Sequence, residues 1–160
     1  MKGLCPGETG LFQNGLLAAI YAALTLCLAP LSYGPIQVRI SECLTLLAFY
    51  DRRWVPGLTI GCLLANLNSP FGIADMVIGT LATFLGVFPM HRCPNVWVAS
   101  LLPVVSNGLL IGGELYYLAA LPPDLSAGAA MAYIGLGELI SVTVLGPMVM
   151  KVLKKRGIVS

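Results

Sequence analysis

The sequence predicts an all-α, polytopic membrane protein with six transmembrane helices, folded as one membrane-embedded domain over residues 1–160. Three observations carry this. The chain is 58% hydrophobic and only 10% charged, whereas a soluble domain has about a quarter of its residues charged. Its apolar residues form long runs broken by short polar segments. Its nine basic residues are also sorted: Lys2, Arg52, Arg53, Arg92, Lys151, Lys154, Lys155 and Arg156 fall on one side of those runs, and Arg39 alone on the other.

Taken in order, the first span runs from about Gln13 to Ala29 and stops at Pro30. It is read as a span and not as a secretory signal, because it follows a single Lys2 and an acidic Glu8 and lacks a small-residue cleavage pattern. The second, Ser41 to Tyr50, ends at Asp51-Arg52-Arg53. The third is Val55 to Leu67, and the fourth is Phe71 to Phe88, closed by Pro89 and His91-Arg92. The fifth is Asn95 to Leu118 and the sixth Ser126 to Leu153. A full crossing needs roughly 17–25 residues, so spans two and three are short and belong inside the bundle. Continuous runs of this length are helical, because lipid offers backbone groups no other partner outside a closed barrel. Cytoplasmic loops collect Lys and Arg. That rule puts both termini, Asp51–Trp54 and Pro89–Pro94 inside, and leaves Arg39 outside in a loop that caps whatever lies beneath it.

Several chemistries are excluded or disfavoured. No Gly-x-x-x-x-Gly-Lys-Ser/Thr loop is present, so the chain does not hydrolyse ATP itself. His91 stands alone, and no His/Cys/Asp set has metal-ligand spacing. The five cysteines (Cys5, Cys27, Cys43, Cys62 and Cys93) are odd in number and lack Cys-x-x-Cys spacing, so they read as packing residues. No cofactor, metal or catalytic residue is expected.

Polar groups inside spans are costly and face a bundle interior or cavity. Placed by depth, they converge. Glu42 opens span two, Asn66 closes span three, and Asp75 lies one turn into span four. Glu114 lies near the outer end of span five, with Asn107 seven residues below it on the same face. Glu138 lies about three turns into span six. Together with Gln37 and Arg39 above them, they outline an outward-facing site for a polar solute. Four acids against one Arg suit a ligand rich in N–H donors or positively charged, and a carboxylate can take two parallel N–H bonds from a guanine-like edge. Tyr33, Phe71, Tyr116 and Tyr117 are candidates to stack on a planar ring. Asn68 is a further polar residue at this level. On span one, the pairs Ala18/Ala22 and Ala19/Ala23 make a small-xxx-small stripe that lets another helix approach closely.

At Gly34-Pro35-Ile36-Gln37-Val38-Arg39-Ile40-Ser41-Glu42-Cys43-Leu44-Thr45-Leu46-Leu47 the chain resembles the QueT family. The likeness continues through Gly57–Leu67, Asp75–Thr83, Asn107-Gly108, Gly113-Glu114-Leu115 and Gly137-Glu138. That family comprises substrate-binding (S) components of energy-coupling factor transporters. The resemblance implies a six-helix S-component fold in a prokaryotic cytoplasmic membrane and no enzymatic activity. It implies uptake of a queuosine precursor, such as 7-aminomethyl-7-deazaguanine (preQ1) or queuine, released inside by toppling. It implies a transmembrane coupling protein (EcfT) and two cytoplasmic ATPases (EcfA-type) as partners. It carries the substrate-binding role to Gln37, Arg39, Glu42, Asn66, Asp75, Asn107, Glu114 and Glu138, and the partner contact to one of two pairs, Ala18/Ala22 or Ala19/Ala23. Three alternatives remain at this level: another planar vitamin on the same scaffold, an intramembrane enzyme with paired carboxylates as acid and base, and a purely structural subunit.

Overall fold

The computed structural model describes residues 6–33, 37–118 and 125–157. Residues 34–36 of the loop around Arg39, the 119–124 connection, and Lys2 and Cys5 lie outside the described residues. The chain is helical throughout the described part. α1 spans Pro6–Cys27 and is followed by the single turn α2, Ala29–Ser32. A 3-10 helix at Ile40–Leu46 runs into α3, Leu47–Tyr50. Then come α4 at Val55–Asn66, α5 at Ile73–Val87 and α6 at Val96–Tyr117. α7, Ala127–Glu138, passes through a π-helical stretch at Leu139–Leu145 into α8, Gly146–Lys155.

Four segments are long and apolar enough to cross a membrane: Gly10–Cys27, Ile73–Arg92, Val96–Tyr117 and Ala127–Lys155. The expected spans two and three correspond to the shorter Ile40–Tyr50 and Val55–Asn66. Lipid-type patterning is plain on the outside. Leu101, Val105 and Leu109 make an exposed line along α6, as do Ile140, Val144, Met148 and Val152 along the π-helical stretch and α8.

The packing explains the short second segment. α1 packs on α4, α4 on α5, α5 on α6 and α6 on α7, while the Ile40–Leu46 turn packs against α1, α8 and the π-helical stretch. Every residue from Ser41 to Ala48 is buried. A segment surrounded by helices need not reach both faces of a bilayer, because protein and not lipid satisfies its ends. Local signals set the boundaries. Asn95 Oδ1 accepts from Val98 N at 2.9 Å and Ser126 Oγ from Ala129 N at 3.3 Å, each capping a helix start. The π-helical stretch lies just ahead of Pro147, which lacks the N–H for the next i→i−4 bond.

Candidate binding site

Arg39 ends a short irregular stretch, residues 37–39, just before the 3-10 helix, and is only 1% exposed. A buried guanidinium needs partners. Its Nε donates to Ser32 O at 3.3 Å, and its head group lies 5.4 Å from the centre of the Tyr33 ring. Tyr33 is held in turn by its hydroxyl, which donates to Ala65 O at 2.6 Å. Across the bundle, Asp75 Oδ2 lies 3.6 Å from Arg39 Nη2. That is an ion pair but too long for a hydrogen bond.

Asp75 sits in the first turn of α5, which opens at Gly72 with φ of 66°. Asn66, closing α4, donates from Nδ2 to Asp75 O at 3.1 Å. The approach depends on Gly79, where a Cβ would fall 2.5 Å from Asn66 Nδ2 and 3.2 Å from Asp75 Oδ1. Glu42, in the first turn of the 3-10 helix, is fully buried. Its Oε1 accepts from the Tyr21 hydroxyl of α1 and lies 3.4 Å from Thr83 Oγ1 of α5. Thr83 Oγ1 is also 3.2 Å from Cys62 Sγ.

α6 and α7 close the other side. α6 carries Asn107 and Glu114 and α7 ends at Glu138, all three buried. Gln37, two residues before Arg39, is buried and holds a φ of 46°, an uncommon backbone state for a side-chain-bearing residue. All eight residues singled out in the sequence are buried.

Much of this layer keeps unused hydrogen-bonding capacity. Among the described residues, no partner is found for either amide atom of Gln37 or Asn107, either Nη of Arg39, or either carboxyl oxygen of Asp75 and Glu114. The same is true of Glu42 Oε2, Asn66 Oδ1 and Glu138 Oε2. Native interiors leave few such atoms, and a group of them in one layer calls for an explanation.

Some expectations are corrected. Tyr116 and Tyr117 do not stack over the layer: they are 44% and 87% exposed and pack edge to face on each other. Phe71 packs on the small cluster of Ala82, Ile111, Leu115 and Ile134. Asn68 is exposed beyond the end of α4. Of the four aromatics, Tyr33 is the one beside Arg39. The alanines of α1 divide, since adjacent helix positions lie about 100° apart. Ala18 and Ala22 are buried, and Gly61 of α4 comes so close that a Cβ there would lie 3.1 Å from Ala18 Cα. Ala19 and Ala23 are exposed. The sequence reading passed over Tyr21 and Thr83. A tyrosine in the middle of an apolar run was the available signal, because a buried phenol must find an acceptor.

A family model described as QueT transporter matches residues 11–155. The chain belongs to the QueT transporter family. A curated relative, named queuosine precursor transporter QueT, from Lactococcus lactis subsp. cremoris (strain MG1363), is 40% identical over 83 residues. That match covers 48% of each chain, so it spans about half the relative's length. No solved structure matches. The QueT family is one of transporters, and with four span-length apolar helices the chain is a multi-pass membrane protein.

Proposed function

We propose that this chain is the substrate-binding membrane subunit of an ATP-driven energy-coupling factor transporter, capturing a 7-deazaguanine-type queuosine precursor outside and delivering it to the cytoplasm. The observation that carries the reading is the buried layer around Arg39, where unpartnered acceptor oxygens outnumber unpartnered donors. A protonated aminomethyl group answers that surplus, and the N–H edge of a deazaguanine fits a carboxylate in two parallel bonds. The mixed donors and acceptors of Gln37 and Asn107 suit the carbonyl and ring nitrogens of the same base. Tyr33 supplies an aromatic face beside it.

Six crossings are part of the reading. The four long segments are joined by Ile40–Tyr50 and Val55–Asn66. The latter has 12 residues, about 18 Å at 1.5 Å per residue against a core of about 30 Å. Snorkelling flanks and neighbouring helices make up the difference. The basic segments near Arg52, Arg92 and Lys154 then face the cytoplasm with both termini. Ala19 and Ala23 are exposed on α1, and the neighbouring Leu16 and Ile20 line an apolar groove of about 300 Å³ together with Leu17, Leu44, Leu47 and Leu153. We assign this edge of α1 to the transmembrane coupling protein, whose movement, driven by two cytoplasmic ATPases, topples the bundle for release.

A thermal-shift and calorimetry panel on detergent-purified protein tests the substrate. 7-Aminomethyl-7-deazaguanine or queuine should stabilise the chain, and guanine, thiamine and riboflavin should not. Stabilisation by an unrelated vitamin alone, or by none of the panel, would count against the reading.

A further inference from the structure

We propose that Tyr21 is a positioning residue for the binding site: it commits one oxygen of Glu42 to the protein and so presents the other to an N–H donor of the ligand. The inference rests on the substrate-site reading of the Arg39 layer. Tyr21 is fully buried midway along α1, unlike the exposed Tyr116 and Tyr117. A phenol enclosed among helices has to donate somewhere, and Tyr21 donates to Glu42 Oε1. The contact is held from several sides. Gly61 of α4 packs so tightly on α1 that a Cβ there would stand 2.8 Å from Tyr21 Cβ, which fixes the root of the ring. One turn along, Thr25 Oγ1 donates to Tyr21 O at 3.0 Å and lies 2.6 Å from Ser41 Oγ. Two neighbouring pairs, Tyr21–Glu42 and Thr25–Ser41, thus stitch α1 to the 3-10 helix at the site's edge. Thr83 adds a second hydroxyl near Oε1 from α5.

The result is an asymmetric carboxylate. Oε1 faces hydroxyls from two helices, while Oε2 is buried with no partner among the described residues. A carboxyl free to rotate would present either oxygen and lose that freedom on binding. One already locked by Tyr21 loses less, which is how preorganisation raises affinity. Tyr21 acts through Glu42 and touches no ligand itself.

A double-mutant cycle on the purified full chain tests this, with 7-aminomethyl-7-deazaguanine as the calorimetric probe. Tyr21→Phe keeps the ring and removes the donor, and should weaken binding on the order of tenfold. In a Glu42→Leu background the same change should have little further effect, because no acceptor is left for the phenol. Unchanged affinity in Tyr21→Phe, or an undiminished loss in the Glu42→Leu background, would overturn the proposal. Thr83→Val, which leaves the α1 contact intact, should show the same coupling in smaller measure and serves if Tyr21→Phe folds poorly. A ligand-free arm separates this from the substrate reading. The infrared carboxyl band of Glu42, assigned by its loss in Glu42→Gln, should shift in Tyr21→Phe. A stationary band defeats the positioning role whatever the ligand. A shifted band in a chain that binds no deazaguanine upholds the lock and defeats the substrate reading.

Discussion

Arg39 and Asp75 face each other with Nη2 and Oδ2 3.6 Å apart, each side chain 1% exposed, and neither completes a hydrogen bond to the other. Coulomb attraction alone holds the pair, with most of its directional capacity left over. Taking two charges out of water costs more than a loosely formed pair returns. The arrangement therefore makes sense as part of a site and not as a device for stability.

Removing one member should show it. Asp75→Asn should destabilise the protein by about 3–5 kcal/mol, because the Arg39 charge is left buried without its partner. The paired change Arg39→Met with Asp75→Leu should recover most of that loss in thermal unfolding but should not restore ligand binding. Restored binding in the apolar double variant would separate the pair from the site.

Glu114 and Glu138 carry the next test. Both are buried. Replacing with Gln the one that reads the ligand's N–H edge should weaken binding by at least ~1.5 kcal/mol, the low end for a hydrogen bond to a charged group. Calorimetry on each variant checks this, and parental affinity in both would remove the two acids from the recognition set.

Gln37, Arg39, Glu42, Asn66, Asp75, Asn107, Glu114 and Glu138, expected to face inward, are all buried, because an in-span polar residue has few places to go. Tyr116 and Tyr117 are not: depth gives no azimuth, and both face outward. The 3-10 form of Ile40–Leu46 was not legible either, since it depends on how α1, α8 and the π-helical stretch enclose it. Gly146-Pro147 was the one cue to the irregular turn before it. Which alanine pair of α1 lies inside was settled by Gly61 on another helix, information that no local pattern in α1 holds.

Asp51 offers a test outside the spans. Its carboxylate accepts from Arg53 N at 2.9 Å, capping the turn Arg52–Trp54, and from Arg53 Nε at 2.8 Å. The Arg53 side chain holds the Asp51 carboxyl below its usual range. A lowered folded pKa means that the stabilisation is present above the unfolded value of about 3.9 and is lost as pH falls through the lower folded value. Asp51→Ala should cost about 1 kcal/mol near neutrality by losing the cap. Asp51→Asn should cost less, since Asn also caps and the ion pair to an exposed Arg is weak. The gap between parent and Asp51→Asn in thermal unfolding, which isolates the charge, should close below about pH 4.

The sharpest separation of inside from outside concerns Ala18 and Ala19. Ala18 is 3% exposed and packs where Gly61 of α4 comes closest, whereas Ala19 is exposed on the outer face of α1. An indole at Ala18 has no room and must push α1 off α4, so Ala18→Trp should lower thermal stability and ligand affinity together. An indole at Ala19 meets only the surroundings of the bundle, so Ala19→Trp should leave stability and affinity near parental. If that face docks the coupling protein, the same indole holds the two helices apart and forfeits their packing, the main source of helix association in lipid. Uptake in cells should then fall while binding in detergent persists. Normal uptake by Ala19→Trp would remove this face of α1 from the docking surface.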